Sequence, residues 1–224
     1  VAVLWTLPNI ITLCRIALTP VIALLPFING YEPKLIAFVV FLVAAVSDVI
    51  DGRLARERDE ITDLGKLLDP IADKLLLVAA LIPIYWITRY PMRQYEIPWW
   101  GNLPLIVLLL LLGREAVMTG FRQYAKSRGV VIAAMGPGKL KTVVQNIFLG
   151  ATIAWFAWKD LSQAYGWESG WFGALWAEIH GAVVSVTLGI AVILTVYSLL
   201  VYMYRYRDLL RGARPASPGS GHGT

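Results

Sequence analysis

The chain holds one cysteine and two histidines in 224 residues, and few charges of either sign. A lone Cys14 excludes an internal disulfide and a thiolate metal cluster. His180 and His222 stand far apart and no HExxH pattern occurs, so any metal here must be held by oxygen. Charged residues make up 16% of the chain, where a soluble domain carries about 25%. Apolar residues take their place, at 58% with a mean hydropathy of +0.63. That much apolar surface is buried only in lipid. The expectation is an integral membrane protein of one domain, because no polar stretch is long enough for a second. No small-residue cleavage pattern follows the first apolar stretch past Pro20 and Pro26, so a cleavable signal peptide is not expected. No internal repeat is evident.

A membrane-spanning helix needs about 20 mostly apolar residues. Six stretches qualify: Ile10–Ile28, Leu35–Ala55, Leu67–Ile87, Leu103–Phe121, Thr142–Trp158 and Ile179–Tyr204. The expected fold is therefore all-α, a polytopic bundle of six transmembrane helices, with Trp5–Asn9 as a short interfacial segment before the first. Of the 20 Lys and Arg residues, Lys34, Arg89, Arg93 and Lys159 fall on one side and the other sixteen on the opposite side. The positive-inside rule places the basic side, and with it both termini, in the cytoplasm. The net charge of +5 then belongs to a face that meets anionic membrane lipids, and nucleic acid is not an expected partner. Trp99, Trp100, Trp167, Trp171 and Trp176 read as belt residues in the outer loops. The membrane domain is expected over residues 1–211. Residues 212–224, GARPASPGSGHGT, have the composition of a disordered tail.

One stretch breaks the apolar pattern. SDVIDGRLARERDEITDLGKLLDPIADK, residues 47–74, holds six aspartates between two apolar runs. Asp48 and Asp51 close the second helix at i, i+3, and Asp69 and Asp73 open the third at i, i+4, so each pair shares a helix face. If these two helices pack as an antiparallel hairpin, four carboxylates converge at the cytoplasmic mouth. Four such anions cannot all ionise unaided, and divalent cations resolve the repulsion. All-oxygen ligation favours Mg²⁺ or Mn²⁺, and four carboxylates suffice for two ions. Asp59, Glu60 and Asp63 lie in the turn and are expected only to solvate it. Gly52 and Ala55 leave space beside Asp51, Arg56 shares a face with Gly52 and can grip a phosphate, and Gly65 permits another close approach.

Together the stretch reads D-x2-D-G-x2-A-R-x8-G-x3-D-x3-D, which resembles the signature of the CDP-alcohol phosphotransferase family at all eight fixed positions. The resemblance implies a six-helix membrane enzyme, a homodimer. Asp48, Asp51, Asp69 and Asp73 would hold two divalent ions, Asp73 also serving as the catalytic general base, with Gly52, Ala55, Arg56 and Gly65 lining the CDP site. An acceptor hydroxyl would attack the lipid-bearing phosphorus and CMP would leave.

The acceptor must be read elsewhere. GREAVMTGFRQYAKSRGVVIAA spans the end of the fourth helix and the next loop, and GPGKLKTVVQN opens the fifth. Cations converging on an acidic site suit a phosphorylated acceptor. These stretches, with the opening PNIITLCRIALTPVIALL, resemble the bacterial phosphatidylglycerophosphate synthase branch of the family. That branch joins CDP-diacylglycerol to sn-glycerol 3-phosphate. The resemblance implies that Arg114, Arg122, Lys139 and Lys141 hold the acceptor phosphate. Asn9, Thr12 and Arg15, on one face at i, i+3 and i+6, would stand near the same mouth in support, with capping of the first helix as the alternative for Asn9. Cys14 is expected to be a small buried hydrophobe and His180 an interfacial polar residue. Two rival readings remain: a related synthase with another acceptor such as inositol phosphate, and a divalent-cation transporter. The apolar interiors of the third and fifth helices disfavour the transporter.

Overall fold

The structure, a computed structural model, describes residues 6–57, 62–89, 95–128 and 136–207, with backbone alone for 51–57, 63, 66, 136–139 and 169. Six α-helices follow one another: α1 (Leu7–Leu24), α2 (Tyr31–Glu57), α3 (Asp63–Arg89), α4 (Leu105–Ser127), α5 (Gly136–Tyr165) and α6 (Trp171–Arg205). Among the described residues there is no strand, only an isolated bridge between Ile97 and Gly101. The chain is an all-α, multi-pass membrane protein.

All six expected helices are present, and among the described residues four of them have the length and apolarity to cross a membrane: Leu7–Phe27, Tyr31–Ile50, Leu140–Tyr165 and Trp171–Arg205. The other two, α3 and α4, carry charge within the helix, with Asp69 and Asp73 on one and Arg114, Glu115 and Arg122 on the other. Helix ends also differ from the apolar runs, because hydropathy marks the greasy middle of a helix and not its polar ends. Leu7–Asn9 form the first turn of α1. Trp171 and Trp176 belong to α6, and Trp167 to a 3-10 turn before it, so these three are not in open loops. The fourth helix runs on to Ser127, keeping Arg122 helical. Trp5, Asp59, Glu60 and the tail lie outside the described residues.

Local chemistry accounts for the helix starts that matter to the site. Thr6 caps α1 by accepting the Asn9 N–H at 3.5 Å. Thr62 caps α3 by accepting the Gly65 N–H at 3.0 Å. Pro20 lies inside α1 and cannot bond the Ile16 carbonyl. The Thr19 hydroxyl takes that carbonyl instead, at 2.7 Å, so the helix continues.

The packing order departs from the chain order. The first helix lies against both α2 and α3, while α5 lies against α2 and α6. Direct contact between α2 and α3 is slight, so the expected α2–α3 hairpin does not form: α1 is wedged between them. The core is built from Ile22, Phe41, Leu81, Ile84, Phe148, Phe156 and Leu188, all buried. Gly150 admits α2 closely, since a Cβ there would stand 3.2 Å from the Phe41 ring. Outward faces remain apolar, with Ile36, Val43, Val186, Ile193 and Leu200 about half or more exposed, as a lipid-facing surface requires.

Candidate functional site

The signature aspartates stand at one end of the bundle, in the last turns of α2 and the first turns of α3. At that end the wedge position of α1 becomes chemically important. Arg15 of α1 is only 3% exposed, and it reaches to both neighbouring helices. Its Nη1 donates to Asp48 Oδ1 of α2 at 2.6 Å, and its Nη2 donates to Asp73 Oδ1 of α3 at 2.8 Å. Asp48 is 32% exposed and Asp73 52% exposed, so both carboxylates face water while the guanidinium lies behind them.

Two further links complete the end. Thr12 Oγ1 lies 3.2 Å from Asp69 Oδ1 and 3.1 Å from the Pro8 carbonyl oxygen, so its single proton serves one acceptor at a time. The Thr62 hydroxyl donates to Asn9 Oδ1 at 3.0 Å. Asn9 therefore ties α1 to the start of α3, and the capping role considered for it falls to Thr6. Gly65 sits in the first turn of α3, and a Cβ there would stand 2.8 Å from Asn9 Oδ1. Its close neighbour is thus the Asn9 side chain.

The three residues read as supporting, Asn9, Thr12 and Arg15, thus meet Asp48, Asp69, Asp73 and Gly65 at one place. Asp51, Gly52, Ala55 and Arg56 continue α2 beyond Asp48, and their side chains lie outside the described residues. Among the described residues, no three of His, Cys, Asp and Glu close on a single point. The donor set nevertheless suits a hard divalent cation. It is composed of carboxylate, hydroxyl and amide oxygens, and a positive group, Arg15, already occupies the place between Asp48 and Asp73.

The basic residues form a second cluster, from α4 and α5. Arg114, 7% exposed, donates through Nη1 to Glu115 Oε1 at 2.8 Å. Lys141, 2% exposed, pairs with the same carboxylate oxygen from α5. Among the described residues the buried Arg114 Nε has no hydrogen-bond partner. Two buried cations thus share one carboxylate oxygen. Glu115 was visible in the sequence only as a neighbour of Arg114; nothing in its spacing marked it as the bridge to α5. Arg122 is exposed and makes no ion pair among the described residues, so it does not join this cluster. The Lys139 side chain lies outside the described residues. Cys14 is exposed, contrary to the buried position expected for it, because its face of α1 points away from α2 and α3. His180 is half-buried at the far end, stacked 5.6 Å from Trp155 with Nε2 2.8 Å from the Ala151 carbonyl oxygen.

The chain is similar in sequence to known proteins over most of its length. A probable phosphatidylglycerophosphate synthase of Mycobacterium tuberculosis (strain H37Rv) is 37% identical over 147 residues, which is 64% of this chain and 64% of that protein. The chain therefore matches somewhat less than two thirds of the mycobacterial relative's length. The CDP-diacylglycerol–glycerol-3-phosphate 3-phosphatidyltransferase of Escherichia coli (strain K12) is 29% identical over 209 residues, 92% of this chain and 98% of that protein. The protein of the same name from Shigella sonnei matches equally. Residues 5–197 match the sequence pattern of the CDP-alcohol phosphatidyltransferase family, and this span encloses both clusters described above. The chain belongs to the CDP-alcohol phosphatidyltransferase family.

Proposed function

We propose that the protein transfers the phosphatidyl group of CDP-diacylglycerol to sn-glycerol 3-phosphate, giving phosphatidylglycerol phosphate and CMP. The observation that carries this reading is the meeting of α1, α2 and α3 through Arg15, where signature carboxylates from two helices share one cation. The names of the mycobacterial and enterobacterial relatives support the choice of substrates. Members of the family are generally dependent on divalent cations.

In this mechanism Asp48, Asp51, Asp69 and Asp73 would hold two ions, Mg²⁺ or Mn²⁺. When bound, such ions polarise the pyrophosphate and offset the charge that develops on it. Gly52, Ala55, Arg56 and Gly65 line the CDP site, with the Arg56 guanidinium on a phosphate. Arg114 and Lys141 hold the acceptor phosphate and point its hydroxyl at the lipid-bearing phosphorus, with Arg122 and Lys139 as further cations on the same two helices. Asp73, the more exposed of the two carboxylates on Arg15, accepts the hydroxyl proton. An oxygen–phosphorus bond to the acceptor forms, the pyrophosphate oxygen–phosphorus bond breaks, and CMP carries away the electron pair. The lipid tails remain in the bilayer. The basic asymmetry supports a site on the cytoplasmic face of a bacterial inner membrane, and the enzyme works as a homodimer.

The test is CMP release by purified protein given CDP-diacylglycerol, Mg²⁺ or Mn²⁺, and a panel of acceptors. Glycerol 3-phosphate should be used far better than inositol phosphate, serine or phosphatidylglycerol. Preference for any other acceptor replaces this reading. No CMP release with any acceptor, together with ion flux in liposomes, returns the transporter.

A further inference from the structure

Arg15 is buried, and a buried guanidinium is tolerable only beside anions. Its partners, in turn, are two carboxylates from different helices that repel one another and are drawn together on it. Among the described side chains, one positive charge serves two negative ones, and both carboxylates are open to water. The Oδ1 atoms that Arg15 occupies on Asp48 and Asp73 are also atoms that the metal-site reading assigns to a divalent ion. Both cannot have those oxygens fully.

We propose, building on that reading, that Arg15 is an internal counter-cation. It holds Asp48 and Asp73 in register before the ion arrives and cedes Oδ1 of at least one of them when the ion binds. It is a positioning residue and touches neither substrate. Its presence stabilises the metal-free bundle and weakens ion binding, because part of the negative field is already neutralised.

The experiment uses the full chain in detergent micelles without substrates. Free Mn²⁺ is followed by electron paramagnetic resonance, and thermal unfolding is recorded with and without Mn²⁺. Arg15→Gln should bind Mn²⁺ about tenfold more tightly than the native chain, while its metal-free Tm falls by about 5 °C. Arg15→Lys keeps the charge but reaches one carboxylate at a time, and should bind Mn²⁺ at least about twofold more tightly. Lys74→Gln, which removes a charge beside Asp73 that forms no ion pair among the described residues, should change affinity less than about twofold. Equal or weaker Mn²⁺ binding by Arg15→Gln, with native binding intact, overturns the counter-cation role alone. Absence of Mn²⁺ binding by the native chain overturns the metal-site reading and this inference together. If Arg15→Gln does not fold, Arg15→Lys decides: equal or weaker binding overturns the proposal.

Discussion

Two ends of the same bundle each bury a cation, and they treat it oppositely. At the far end Lys34 is fully buried, and its three ammonium protons are all placed: on the Ile28 carbonyl at 3.0 Å, the Gly30 carbonyl at 3.1 Å and Asp160 Oδ2 at 2.5 Å. The other Asp160 oxygen accepts from the Tyr95 hydroxyl, and the Tyr95 ring lies 5.2 Å from the ammonium. Charge balances one to one, and Asp160 is 12% exposed. At the acidic end Arg15 faces two carboxylates that are open to water, so among the described side chains two negative charges meet one positive one and access remains. A closed, satisfied network locks the α1–α2 turn onto α5, whereas the acidic end holds its cation between two carboxylates that water reaches. Burial of charge alone does not distinguish a lock from a site; stoichiometry and exposure do.

Substitutions at the two ends should separate stability from turnover. The largest effect is expected for Asp73→Asn, which should lower CMP release by about three to four orders of magnitude. CDP-diacylglycerol binding and Tm should stay near native, since Asp73 is half-exposed. Normal turnover by this variant removes Asp73 from the base role. Next comes Lys34→Met, which strands Asp160 and should cost about 3 to 5 kcal/mol of stability. The specific activity of the protein that remains folded should be unchanged. A loss of activity without a fall in Tm would show the far end to be more than a lock.

A smaller effect is expected in the basic cluster. Lys141→Ala should raise KM for glycerol 3-phosphate about tenfold, and Arg122→Ala, being exposed, about threefold, with KM for CDP-diacylglycerol steady in both. Equal changes for both substrates would mean that the cluster does not hold the acceptor. The smallest is Gly65→Ala, which pushes a methyl against Asn9 Oδ1 and should cost about 1 kcal/mol. In Asn9→Ala the cost of Gly65→Ala should shrink, giving a non-additive cycle. Strict additivity would show that α1 and α3 do not meet there as described.

Much of the acidic end was legible because helical phase is local. Spacings of three and four residues put Asp48 with Asp51 and Asp69 with Asp73 on common faces whatever the tertiary packing. Arg15, Thr12 and Asn9 were legible as a polar stripe in an apolar helix, though not as the residues that join α2 to α3. Glu115 and Asp160 were opaque, because each acquires its meaning from a partner 26 or 126 residues away.

By itself, then, the amino-acid order determined an apolar, all-helical chain and an eight-position signature that holds four aspartates. Composition and local periodicity suffice for these. The fold decided that α1 stands between the two acidic helices, that one guanidinium spans them, and that the far-end lysine is a lock. Those outcomes depend on which helix faces pack together, a matter of side-chain fit between distant segments that no local pattern encodes.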